Sequence, residues 1–535
     1  MKRRSFLKTA AGAAALATPA IRRAEARGAP TRNETLLLVQ EYGPNSLDMQ
    51  GIGSAQPVNG VSLNCYDTLI RFKRKPFAEG ITVFDRDNYE PGLAESWQEA
   101  SDGMSATFKL REAKFHSGRP VRAADVKWSM DRAVTIGGFA TTQMAAGSLE
   151  KPEQFVALDD RTFRIDYLRR DKLTIPNLCV TIPFVIDSET AKANAGGDPL
   201  AKDYLKNNVA GSGAFKVESW KPGTETIYVR NDDWASGERP KLRRIIARDI
   251  PSPSTRRALI ERGDADISYG LPPKDFKDLA DGGKVRVAAV PVPNAIWYVA
   301  LNSALAPFKD VRLRQAVAWA IPYEKIMQAA LFGRGTPMWG GPQKIDTVGW
   351  PVPSHYSYNL EKAKALVAAA TGGAGFSTSL VFDAGSATIA EPMAVLVQEA
   401  LGAIGIKVEL NKVPGANFRG ELNKKTAPMV INRFGGWLDY ADYFFFWNYH
   451  GNNSIFNVAS YQDKELDALI DSARFTQDPA EYATKVKAML ERGMDQIPMV
   501  PICQPYHDVA MQKYIGGYHY APPREPDFRY LTKGA

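Results

Sequence analysis

The chain reads as an α/β protein of more than one domain, and three observations predict this. From residue 34 onward, short apolar strand-like runs alternate with amphipathic helix-like segments, the pattern of βα units. At 535 residues the chain is longer than a single hydrophobic core fills, so two or three domains are expected. Pro291-Val292-Pro293 interrupts two strand-like runs and restricts the backbone there, as a crossover between lobes would require.

The first 26 residues read as an address. Arg3-Arg4 followed by Phe6-Leu7-Lys8 has the pattern of a twin-arginine export signal, and a short Ala-rich run follows from Ala10 to Ala17. Ala24-Glu25-Ala26 fits a small-x-small cleavage site, so a mature chain beginning at Arg27 is expected in the periplasm. The segment holds six basic residues and one acid, so the net +8 of the whole chain falls to about +3 after cleavage. That balance calls for neither nucleic acid nor an acidic membrane surface. No later apolar run approaches a membrane span, so a soluble mature protein is expected.

Thr35 to Val39 reads as a buried strand, and Val61 to Ile70 is apolar at helical spacing. A strand ends at Trp97, Asp102-Gly103 turns, Phe108 to Arg111 is a second strand, and a helix starts near Ala123. Residues 212–230 read as a hairpin turning at Lys221-Pro222-Gly223-Thr224. Lys284 to Val290 and Ala295 to Leu301 are strand-like. From Thr378 the order is strand 378–382, helix 391–404, strand 406–413, helix 416–424 and strand 428–433, which argues for a largely parallel sheet. Asp463 caps a further helix whose inward residues are Leu466, Leu469, Ile470 and Ala473.

The stretch Phe434 to His450 stands apart. Nine of its seventeen residues are aromatic, and it carries Asp439 and Asp442 but no Lys or Arg. Gly435-Gly436 reads as the break between the preceding strand and a loop. Ligands of open α/β sheets sit beyond the carboxyl ends of strands, where such a loop emerges. A carboxylate between aromatic walls binds a cation strongly; the alternative is an aromatic core segment with two solvated acids.

Other chemistry is thinly represented. The five histidines (116, 355, 450, 507 and 519) form no metal-binding helix pair, and no phosphate-binding glycine loop exists. Gly375 to Ser379 lacks the last glycine of a nucleophile elbow. Asp439 and Asp442 lie too close in sequence for a hydrolytic pair facing across a cleft. Cys65, Cys179 and Cys503 have no metal-like spacing and allow at most one internal disulfide; small buried hydrophobes are their expected role. No enzyme, metal or cofactor is expected.

Five segments in order carry a resemblance. They are Pro91 to Val126 (PGLAESW, DG, FKLR, KFHSG, PVRAADV), Gly211-Ser212-Gly213-Ala214-Phe215, Ala258 to Asp266, Asn302 with Pro307 to Ala316, and Trp437-Leu438-Asp439-Tyr440-Ala441-Asp442. Together they resemble the family 5 extracellular solute-binding proteins, the dipeptide- and oligopeptide-binding components of ABC importers. Three departures are that Ala214 stands where Pro is usual, that one residue fewer separates Trp437 from Asp439, and that Tyr443 replaces a proline. The resemblance implies a two-lobed periplasmic-binding-protein fold with an extra subdomain and two interlobe crossovers. The first lobe would take 27–60, 206–293 and 497–535, the subdomain 61–205 and the second lobe 294–496. It implies a monomer that closes on its solute and delivers it to an inner-membrane ABC permease. It implies a ligand site at Asp439, Trp437, Tyr440, Asp442 and Phe434, with Asp439 on a peptide's ammonium and Asp442 bracing the loop. His450 would be the one histidine near that site, and opine-like compounds, oligosaccharides and nickel complexes are the alternative ligands.

Overall fold

The computed structural model describes residues 30–534 apart from 79, 454 and 455, so the export signal and its cleavage site lie outside the described residues. Twelve strands share one sheet that runs through both lobes. At one end, Thr35–Gln40 lies between Arg244–Asp249 and Ile267–Tyr269, parallel to both, and the hairpin Phe215–Lys221 and Glu225–Arg230 extends the edge. At the other end, Phe376–Asp383 pairs in parallel with Ile406–Val413 and with Met429–Gly435. The strand Met499–Met511 joins the halves. Its first residues pair with Ala295–Leu301 and its last with Arg286–Pro291 and Ile267–Tyr269.

The chain therefore crosses between the lobes twice, at 291–295 and again along Met499–Met511. The crossings are tied to one another, since Val292 N donates to Pro505 O (2.9 Å) and Gln504 Nε2 to Val292 O (3.0 Å). The extra subdomain carries a four-stranded antiparallel sheet of Ala94–Glu99, Ser105–Leu110, Thr162–Asp166 and Phe155–Ala157. The helices Ala123–Thr135 and Gly138–Ala145 accompany it. No helix among the described residues is long and apolar enough to cross a membrane.

Local chemistry accounts for many boundaries. The carboxylate of Asp463 accepts from Glu465 N and Leu466 N and starts the helix Lys464–Phe475; Asp310, Asn359 and Asp478 act likewise on the helices Val311–Ala320, Leu360–Thr371 and Pro479–Gln496. Gly211 and Gly213 let the chain press against the end of the helix Val58–Cys65, because a Cβ at either would collide with the Cys65 backbone. All seven residues of Ala295–Leu301 are buried in the middle of the sheet. Each large apolar side chain there contributes about 1.5–3 kcal/mol by leaving water.

Three expectations need correction. The strands from Phe376 do pair in parallel, but the sheet as a whole is mixed: Ala295–Leu301 runs antiparallel to both its neighbours, carrying the chain into the second lobe while Met499–Met511 brings it back. The helix expected over Val61 to Ile70 is Val58–Cys65; Tyr66 is already extended, and Ile70 opens the strand Ile70–Ala78. The stretch 434–450 is not one loop. The strand continues to Gly435, residues 436–440 turn, and Ala441–Asn448 is a helix. Seven of its eight residues are buried, so no polar face marks it as a helix. All three cysteines are free thiols, with Cys65 and Cys503 buried.

Burial holds three histidines neutral, pushing His116 down to about 4, His519 to about 4 and His507 to about 3. Their folded values lie below the unfolded value near 6.5, so the stability they confer is complete above pH 6.5. It is lost as the pH falls toward 4, by about 1.4 kcal/mol per unit for each group still neutral. The urea midpoint is therefore expected to drop between pH 6.5 and 4. A flat profile over that range would contradict the burial of neutral imidazoles.

Candidate functional site

Beyond the carboxyl end of Met429–Gly435 the chain turns sharply at Gly436, where a side chain would strike the Tyr443 ring. Buried Asn294, at the first crossing, donates its amide to Leu438 O and fixes the turn against the hinge. The turn delivers Asp439 to a cavity of about 440 Å³. Pro293 and Gln504 bound that cavity from the two crossings, and residues 347–353, with Trp350 among them, wall its far side. The indole of Trp350 is held by Phe444 and Phe445, with ring centroids 4.8 and 5.3 Å away.

Asp439 keeps 24 % of its side chain exposed. Arg86, from the strand Ile81–Pro91, donates to its main-chain oxygen and stands 3.5 Å from Oδ2. Burial pushes the Asp439 carboxyl above its ordinary value, and the charges of Arg86 and Lys75 pull it part of the way back. The same guanidinium lies 5.5 Å from the Tyr440 ring centroid, so Arg86 spans both residues of the Asp-Tyr step.

The other expected site residues do different work. Asp442 has no exposed side-chain surface; Tyr482 OH donates to its Oδ1 (2.8 Å), and Lys172 Nζ lies 3.0 Å from Oδ2. Trp437 is buried with its ring edge-on to Phe139 at 5.0 Å. Phe434 packs between Phe444 and Phe456, each 5.4 Å away. His450 is buried, with Nδ1 accepting from Asn452 N and Nε2 3.3 Å from Asp471, a packing role away from the cavity lining. Among the described residues, no group of His, Cys, Asp or Glu has the arrangement to hold a metal ion.

Contacts between residues 139–172 and the helices after Asp439 draw the two sides together. Tyr443 OH donates to buried Gln143 (2.9 Å). Arg474 pairs with Asp171 (2.8 Å), whose side chain has no exposed surface, and also donates to Ala145 O and Ala146 O.

A family model described as bacterial extracellular solute-binding proteins, family 5 Middle, matches residues 88–456. The chain belongs to this family. It is 30% identical over 484 residues to the Probable D,D-dipeptide-binding periplasmic protein DdpA of Escherichia coli, covering 88% of this chain and 89% of that one. It is 27% identical over 472 residues to the Glutathione-binding protein GsiB of Pectobacterium atrosepticum, with 85% and 88% covered. Its fold is similar to that of DppA from Helicobacter pylori in complex with peptide STSA, with TM-score 0.78, 21% identity, and 94% and 98% covered. AgaA from A. tumefacien in complex with agropinic acid is similarly close in fold, with TM-score 0.77, 23% identity, and 94% and 99% covered.

Several residues around the cleft of this family 5 chain escape sequence reasoning. Arg86 and Lys172 sit in polar strand and loop sequence with nothing to mark them. Arg433 did leave a signal: it is the one charge in an apolar strand, close to the end that opens into the cleft. Arg524 lies in the proline-rich run 521–526, near the bare Cα of Gly435.

Proposed function

We propose that the chain is the periplasmic component of an ABC importer that captures a short peptide or peptide-like solute between its lobes. The carrying observation is the cavity that holds Asp439 and is bounded by both crossings of the hinge. A ligand ammonium lies against the free side of the Asp439 carboxylate, and Trp350 and Val352 offer apolar surface for its body. The names of the relatives support this class, since they describe a D,D-dipeptide and a glutathione binder. Binding needs no covalent step, so the reading is of a carrier and not an enzyme. The lobes divide at the two crossings, and rotation about Pro291 to Asn294 and Gln504 opens the cleft. Residues 1–26 send the chain out by the twin-arginine route, and the partner is an inner-membrane permease.

Mass spectrometry of protein purified from its own periplasm tests this reading. A small peptide or peptide-like compound should be released on denaturation. Solution scattering should then show a smaller radius of gyration when that compound is restored to stripped protein. Turnover of a peptide panel that vanishes in Asp439→Asn would replace the carrier reading with an enzyme.

A further inference from the structure

We propose that Arg86 is a resident cation of the site, which holds the Asp439 carboxylate until a solute arrives and yields it to the solute's ammonium. Arg86 thereby sets how strongly the cleft prefers solutes that carry an ammonium. This rests on the cleft-binding reading above and adds the residue that tunes it. The strand Ile81–Pro91 is anchored on one side of the cleft, because its first residues pair with Tyr518–Tyr520, beyond the second crossing. Its ladder with Ile70–Ala78 is broken between Phe72, opposite Tyr89, and Lys73, opposite Asp85, so residues 86–88 bulge out. Asp85 pins this bulge, accepting from Asp87 N (3.3 Å) and from Asn88 Nδ2 (2.9 Å). A bulge re-aims a side chain out of its sheet, and this one sends Arg86 to Asp439, which lies between the two crossings in the chain.

Arg86 has two carboxylates in reach. Its Nη1 stands 3.5 Å from Asp439 Oδ2, and its Nε stands 3.5 Å from Asp87 Oδ1 on its own strand. Both separations exceed the roughly 2.7–2.9 Å of a tight charge-assisted bond, so neither carboxylate holds the guanidinium fast. The bond to the main-chain oxygen of Asp439 keeps it between the two. A solute ammonium on the free side of Asp439 brings a further cation to a carboxylate that already feels the charges of Arg86 and Lys75. Like charges crowded on one acid repel, and closure sharpens the repulsion by removing water. Arg86 relieves it by shifting toward exposed Asp87, and the ammonium keeps Asp439. Displacing a resident cation offsets part of the ammonium's attraction, so solutes without an ammonium compete better than they would against a bare carboxylate.

The test uses the full mature chain, stripped of ligand, at fixed ionic strength. Alanyl-alanine is compared with propionyl-alanine, which lacks only the ammonium. The ratio of their dissociation constants cancels any loss of closure that a variant imposes on both. In Arg86→Gln the preference for alanyl-alanine is expected to rise about threefold to tenfold, the range of a partly exposed ion pair. Asp87→Asn removes the alternative partner of Arg86, so the preference should fall. Asp439→Asn should abolish it whether or not Arg86→Gln is also present, while Lys274→Gln on the outer surface leaves it unchanged. Ethylammonium chloride against sodium chloride serves as a probe with no peptide bond, and should raise the melting temperature of Arg86→Gln above its effect on the unaltered chain. A preference unchanged by Arg86→Gln or by Asp87→Asn, with alanyl-alanine still bound, overturns the inference and leaves the peptide reading standing. If no peptide binds but ethylammonium stabilises Arg86→Gln through Asp439, the resident cation stands and the peptide reading fails. If neither alanyl-alanine nor ethylammonium binds any of these proteins, the inference is wrong.

Discussion

Replacing Lys172 by methionine is expected to open the cleft. Lys172 Nζ stands 3.0 Å from Asp442 Oδ2, donates to Ala473 O (3.0 Å) and Arg474 O (2.9 Å), and lies 4.3 Å from the Tyr482 ring centroid. Burial pushes the Lys172 ammonium below its ordinary value, and the Asp442 charge opposes that shift. Methionine preserves the volume and leaves a carboxylate with no exposed surface facing no cation. Removing one partner of a buried pair costs about 3–5 kcal/mol. Opening the cleft rehydrates Asp442, so the cost falls on the closed form and not on the fold of either lobe. A shift of that size makes closure about a hundredfold harder or more. Ligand affinity should fall, and the radius of gyration at a fixed ligand concentration should rise. Lys172→Met with Asp442→Leu removes both charges and should restore much of the closure. An unchanged radius in Lys172→Met, with a lower urea midpoint instead, would mean that the pair lies within one rigid body.

Asp439→Asn should lower ligand affinity by about tenfold to a hundredfold. The substitution keeps the shape and removes the charge that faces the cavity. A charged hydrogen bond to an ammonium contributes roughly 1.5–3 kcal/mol, and each 1.4 kcal/mol is about one decade of affinity. The fold should persist, because Arg86 still bonds to the main-chain oxygen of residue 439 and Asn294 still holds the turn through Leu438 O. Asp442→Asn should act differently, weakening closure on every ligand alike and leaving the choice of ligand intact, because its carboxylate faces Lys172 and Tyr482 and not the cavity. Calorimetry on both variants with the ligand that the protein retains separates the two roles. Unchanged affinity in Asp439→Asn would mean that the solute presents no ammonium there.

The sequence by itself determined the segments whose chemistry is local. The strand Ile406–Val413 matches its expected span end to end, and Asp463 stops one segment and starts the next through its own carboxylate. The ordered motifs pointed to the family, and glycines among them such as Gly211 and Gly213 are demanded by close packing against the Cys65 backbone. Asp439 could be singled out because a carboxylate among aromatics at a strand end is unusual in sequence. Only the tertiary structure decided its surroundings. Arg86 meets Asp439 across 353 residues, and Lys172 reaches Asp442 from as distant a part of the chain. The helix Ala441–Asn448 was illegible for a related reason: it is enclosed on nearly every side, so no alternation of polar and apolar residues records its period. Periodicity registers one boundary between water and core. Charge pairing across a cleft depends on which surfaces the fold brings together, and local sequence carries no trace of that.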